Sequence, residues 1–149
     1  MKIETLRGKV AVITGAGSGF GREFARIAAA EGMALVLVDV QADALAETVA
    51  ELDGPNILHR VLDVTDGAAK DALAADAFAR FGAVHLLFNN AGVGSTGLMW
   101  EATTRDWEWV LGVNLWGTIH GVRAFVPRML DAARFYPATS GRVIYTASM

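Results

Sequence analysis

The chain has 149 residues, 53% of them apolar and 19% charged, with a formal net charge of −3. That length builds one domain with a real core, and that charge offers no electrostatic footprint for nucleic acid or an anionic membrane surface. Cysteine is absent, which excludes disulfides, cysteine-held zinc and thiol nucleophiles and fits a reducing, cytoplasmic setting. The opening "MKIETLRGK" lacks the apolar segment of a secretory signal. The longest apolar run, "MALVLVDV", is broken by Asp39 and is too short to span a bilayer.

Short β-branched runs alternate with helix-patterned stretches. Lys9–Thr14 reads as a buried strand ending at a glycine loop. Phe20, Phe24, Ile27 and Ala28 then recur at helical spacing, and Gly32 is a stop signal. Met33–Asp39 is a second strand. Leu45, Val49 and Leu52 mark a helix face that ends at "DGP". Asn56–Val64 is a third strand, and Thr65 is the expected N-cap of a helix through Phe81, with Ala69, Leu73, Ala77 and Phe81 on one face. Val84–Asn90 is a fourth strand, followed by a loop rich in Gly, Ser and Thr. Thr103–Met129 reads as helical with a break near Gly112–Asn114, and Gly141–Ser148 as a fifth strand.

Strand–helix alternation with near-continuous apolar strands implies an α/β fold, a doubly wound Rossmann-type parallel sheet covered on both faces. Residues 1–149 are expected to form one such domain. Ligands of these sheets bind beyond the carboxyl ends of the strands. The glycine loop, Asp39, Asp63, Asn89–Gly92 and Ser148 all fall there.

"TGAGSGFG" (Thr14–Gly21) places Gly15, Gly17, Gly19 and Gly21 between a strand and a helix. There a pyrophosphate can approach the backbone without meeting a Cβ and can accept from unpaired helix N–H groups. The strict G-x-G-x-x-G spacing fails, because position 20 is Phe; T-G-x-x-x-G-x-G stands instead. A G-x-G-x-G methyltransferase reading needs an acid at the end of the first strand, where Ile13 and Thr14 stand. Asp39, 24 residues after Gly15, can accept from an adenosine ribose diol and would repel a 2′-phosphate. No basic residue precedes Arg22 in the loop or flanks Asp39. These features favour NAD over NADP. Asp39 also has a plainer reading as a strand-end acid or a helix cap.

Five stretches in order, spanning the chain, resemble the classical short-chain dehydrogenases/reductases: "TGAGSGFG", Asp63-Val64, "NNAG" (Asn89–Gly92), Asn114 in "VNLWG", and "IYTAS" (Ile144–Ser148). The resemblance implies a role for each. Gly15, Ser18, Gly19, Phe20 and Gly21 would form the pyrophosphate loop. Asp63 and Val64 would contact the adenine, and Asn90, Ala91 and Gly92 would run beneath the cofactor ribose. Asn114 would hold a water in a proton relay, and Ser148 would hold the substrate oxygen. The implied protein is an NAD-dependent oxidoreductase acting on a small alcohol or carbonyl compound and forming homo-oligomers. A non-catalytic dinucleotide-binding module is the alternative.

The family's Tyr-x-x-x-Lys pair has no match in these residues. Tyr136 and Tyr145 are the two tyrosines, and Ser140 and Met149 stand four positions after them. A phenol with an ordinary pKa near 10 needs such a lysine to act near neutrality. The expectation is therefore an amino-terminal half of a longer enzyme, a sheet cut after its fifth strand, and no turnover from these residues alone. Asn114 can also simply satisfy backbone groups at a helix kink. His59, His85 and His120 lack metal-ligand spacing. Trp107, Trp109 and Trp116 read as core or interface, and "GLMW" (Gly97–Trp100) as a pocket border or packing.

Overall fold

A computed structural model describes residues 5–52, 54, 56–135 and 141–146. Five parallel strands, β1 (Val10–Thr14), β2 (Ala34–Asp39), β3 (Ile57–Val61), β4 (Leu86–Asn89) and β5 (Arg142–Tyr145), lie in the order β3-β2-β1-β4-β5. In-register pairs such as Val12 with Val36 and Val12 with Leu87 tie β1 to both neighbours. The connections carry α1 (Gly19–Ala30), α2 (Ala42–Glu51), α3 (Gly67–Phe81), α4 (Thr104–Leu111) and α5 (Gly117–Phe135). This is the doubly wound parallel sheet expected of the sequence.

Strand side chains alternate between two cores, as a pleated strand requires. Val10, Val12, Val36 and Val38 pack with Leu73, Ala77 and Phe125, on the side of α3 and α5. Ala11, Ile13, Leu35 and Leu37 pack with Ala25, Ala28 and Leu45, on the side of α1 and α2. Burial on both faces explains why these strands read as continuous apolar runs. The order in which strands are added switches sides between β1 and β4, so a crevice opens beyond their carboxyl ends.

Two expectations need correction. The third strand stops at Val61. Asp63 starts a turn there: its carbonyl accepts from the Asp66 N–H, and its Oδ1 accepts from the Thr65 N–H and hydroxyl. With Thr65 held in that turn, Asp66 caps α3 by accepting from the Ala69 N–H at 2.9 Å. Phe20 and Ile27 are exposed, and the buried face of α1 is Gly21, Ala25 and Ala28. Small residues let that helix sit close to the sheet. Trp107, Trp109 and Trp116 are exposed, so of their two readings, core or interface, the core one does not hold.

The expected break in the long helix is a π-helical turn, Gly112–Trp116, between α4 and α5. A Thr103/Asp106 capping box starts α4, and its hydrogen bonds hold the Asp106 carboxyl below the usual carboxylate range. Among the described residues, no helix is long and apolar enough to cross a membrane.

Candidate functional site

The carboxyl ends of β1, β4 and β5 are stitched together by side chains. Buried Thr14 accepts through Oγ1 from the N–H groups of Asn90 and Ala91, both at 3.0 Å, and donates to the Phe88 carbonyl at 3.3 Å. Asn90 returns the contact: its Nδ2 donates to the Thr14 carbonyl at 3.0 Å. Its Oδ1 accepts from the Thr146 hydroxyl at 2.9 Å. The Asn90–Gly92 segment is thereby fixed beside the glycine loop.

The loop itself needs its glycines. Gly15 has φ +68°, and a Cβ there would lie 3.0 Å from the Ala91 Cα. At Gly21 a Cβ would run into the Gly15 carbonyl. Ser18 occupies the N-cap of α1, yet its side chain makes no capping hydrogen bond, and the first turn carries no acid. The N–H groups and the hydroxyl at this helix start therefore suit an external anion.

One peptide in the loop is clamped from both sides. The Gly17 N–H donates to Asp39 Oδ2 at 2.8 Å. The Gly17 carbonyl accepts from Arg22 Nε at 3.1 Å and Nη2 at 2.6 Å. Arg22 also reaches the Ala44 carbonyl and Glu47, each at 3.3 Å. Asp39 accepts in addition from the Gln41 N–H at 2.9 Å, just ahead of α2, whose N-cap is Gln41.

A groove of about 480 Å³ runs over these groups, within the size range of small-molecule sites. Gly15, Ser18, Gly19, Phe20, Asp39, Asp63, Val64, Asn90, Ala91 and Gly92 all line it. Gly21 does not; it lies beneath the loop and acts by allowing close packing. Sequence reasoning missed Val40, Gln41 and Leu62, which add an apolar wall and a backbone turn, and Val93, Trp109 and Val113 at the other end. Their signal was positional: Val40, Gln41 and Leu62 directly follow strand ends. Ser148 lies outside the described residues.

Asn114 sits in the π-helical turn and holds the Val93 backbone with both ends of its amide. Its Oδ1 accepts from the Val93 N–H at 2.8 Å, and its Nδ2 donates to the Val93 carbonyl at 2.9 Å. The Asn114 carbonyl accepts from the Thr118 hydroxyl at 3.0 Å. A second cavity, about 370 Å³, adjoins Asn114 and is walled by Leu98, Met99, Trp107 and Val110, so part of "GLMW" does border a pocket.

The donor set fits a dinucleotide: an anion-ready helix start, backbone accessible through glycines, a carboxylate at the end of β2, and an apolar wall at Val40, Leu62 and Val64. Comparison with known proteins agrees. A short-chain dehydrogenase from Burkholderia phymatum, solved in complex with NAD, is 51% identical with a TM-score of 0.90, over 98% of this chain and 51% of that one. A "CLA biosynthesis dehydrogenase/reductase" of Lactiplantibacillus plantarum is 38% identical over 87% of this chain and 46% of its own length. The 1-deoxy-11-beta-hydroxypentalenate dehydrogenase of Streptomyces avermitilis is 39% identical over 97% of this chain and 53% of its own. The chain thus spans about half the length of the relatives it matches. A family model described as short chain dehydrogenase matches residues 9–149, and the chain belongs to that family of oxidoreductases.

Proposed function

We propose that residues 1–149 form the NAD-binding part of an oxidoreductase that moves a hydride between the nicotinamide and a small alcohol or carbonyl substrate. The observation that carries the NAD choice is the Asp39 carboxylate, held 2.8 Å from the Gly17 N–H at the mouth of the groove. A ribose diol can donate to that carboxylate, whereas a 2′-phosphate meets its negative charge. Arg22, the nearest loop cation, is engaged by the Gly17 and Ala44 carbonyls and Glu47.

When bound, the cofactor supplies hydride chemistry; the chain supplies position and electrostatics. Ser18 and the start of α1 hold the pyrophosphate, and Gly15, Gly19 and Phe20 shape its cradle. Asp63 and Val64 flank the adenine. Asn90, Ala91 and Gly92 support the nicotinamide-side ribose, and Asn114 fixes the Val93 backbone beside it. Ser148 holds the substrate oxygen. The exposed Trp109, Leu111, Leu115 and Trp116 around the π-helical turn suit burial in a homo-oligomer.

Calorimetric titration of the chain with NAD and with NADP tests the reading. NAD is expected to bind at least tenfold more tightly. Equal affinities would overturn the choice of cofactor, and no binding of either would overturn the site.

A further inference from the structure

Lys70 is fully buried on α3, between the helix and the sheet. Its Nζ donates to the Gly117 carbonyl at 3.2 Å. No carboxylate compensates it among the described residues, and burial pushes its ammonium down to about 8. A lysine buried without an opposite charge needs a reason, because desolvating the cation is costly. The neighbouring acid on α3, Asp71, is paired with Arg128 of α5, and His120 of α5 stands over Gly67 at the start of α3.

Two features say what the ammonium touches. Gly117 follows the π-helical turn directly and closes it, its N–H donating to the Gly112 carbonyl. A Cβ at Gly117 would meet Val64 Cγ2 at 2.7 Å, so this residue is packed against the groove wall as well. One helical turn on, Gly121 leaves room for two polar ends. A Cβ there would lie 3.3 Å from Lys70 Nζ and would collide with Asn89 Oδ1. Asn89 is buried on β4, and among the described residues neither end of its amide has a hydrogen-bond partner. A buried orphan amide beside a buried ammonium makes a polar seam through the α3–α5–β4 core.

We propose that Lys70 is a positioning residue: held on the Gly117 carbonyl within this seam, it fixes the π-helical turn that presents Asn114 to the Val93 loop. Asn89 lines the same seam. The π-helical turn has an irregular hydrogen-bond ladder and needs an external brace. Lys70 supplies it from a neighbouring helix. The link to the cofactor groove rests on the functional reading above; the brace itself does not.

Hydrogen exchange on the whole chain tests it, with Lys70→Met and Lys70→Gln. Met fills the space without a donor, and Gln keeps a neutral donor. Amides of residues 113–121 should exchange roughly tenfold faster in Lys70→Met, while α1 and α2 keep their protection. Lys70→Gln should recover part of the protection. Unchanged exchange at 113–121 in Lys70→Met, or equal loosening in both variants, would overturn the proposal. If Lys70→Met does not fold, Gly121→Ala, which crowds the seam, is read the same way: loosening confined to 113–121 supports the brace, and none refutes it. NAD titration of the wild-type chain separates the two readings. Failure to bind NAD sinks the functional reading alone; an unperturbed turn in a variant that binds NAD sinks the brace alone.

Discussion

Asp39 and Gly17 are joined by a 2.8 Å hydrogen bond that ties the end of β2 to the middle of the glycine loop. The carboxylate therefore has two jobs: it shapes the loop and it faces the groove. Asp39→Ala removes both, and Asp39→Asn keeps the shape while removing the charge. For Asp39→Ala, a lost charge-assisted hydrogen bond of about 1.5–3 kcal/mol weakens NAD by roughly 10- to 100-fold. NADP should lose less, because the same change removes a repulsion. Calorimetry with both cofactors checks this. Equal losses would mean that Asp39 acts only through the loop.

Gly21→Ala brings a Cβ into the Gly15 carbonyl, with no flexible side chain able to give way. Overpacking of this kind costs about 1–3 kcal/mol and moves the loop backbone. The expected result is a lower Tm together with lost NAD affinity. Gly94→Ala is the control: nothing stands within 4 Å of the added Cβ, so stability should stay within about 0.5 kcal/mol. A Gly21→Ala chain as stable as wild type would show that the loop relaxes freely.

The sheet and most of this groove were legible in the sequence because strand ends and glycines carry their own signals. The apolar runs located all five strands; the loop motif located four groove residues, and Asp39, Asp63-Val64 and the NNAG stretch located six more. Misreadings arose where side chains compete with the backbone. Asp63 ends β3 early by accepting from Thr65, which no apolar pattern reveals. Helical spacing at Phe20, Phe24, Ile27 and Ala28 located α1 without naming its inner face, which the close approach of α1 to the sheet sets as Gly21, Ala25 and Ala28. Lys70 escaped notice for a different reason. It falls in register with Leu73, Ala74 and Ala77, all buried, but residue type masked a position that spacing marks as interior.

Asn114→Ala deletes both hydrogen bonds to the Val93 backbone. The Val93 amide should lose exchange protection, and NAD affinity should fall by a few fold, about 0.5–1.5 kcal/mol per bond being the usual scale. Where turnover is measured, a fall in kcat well beyond the change in NAD affinity would support the relay role as well. A matched fall in both would leave the clamp on Val93 as its whole contribution.

Lys70 also sets a pH dependence of stability. Its ammonium is pushed down to about 8 in the fold from an ordinary 10.5. Between those values the unfolded chain binds more protons than the folded one, so stability rises with pH. Below about 8 both states are protonated and the full desolvation cost stands, ~3 kcal/mol at 1.36 kcal/mol per pKa unit. Lys70→Met removes that cost and forfeits a hydrogen bond of about 1 kcal/mol, so at pH 7 the variant should be more stable by ~2 kcal/mol. Urea denaturation at pH 7, 8, 9 and 10 checks it: the wild-type curve should climb toward the variant's across this range. Parallel curves would mean that Lys70 keeps its hydration in the fold. The same substitution is thus expected to raise global stability while loosening the π-helical turn, a combination that a lysine merely tolerated in the core would not produce.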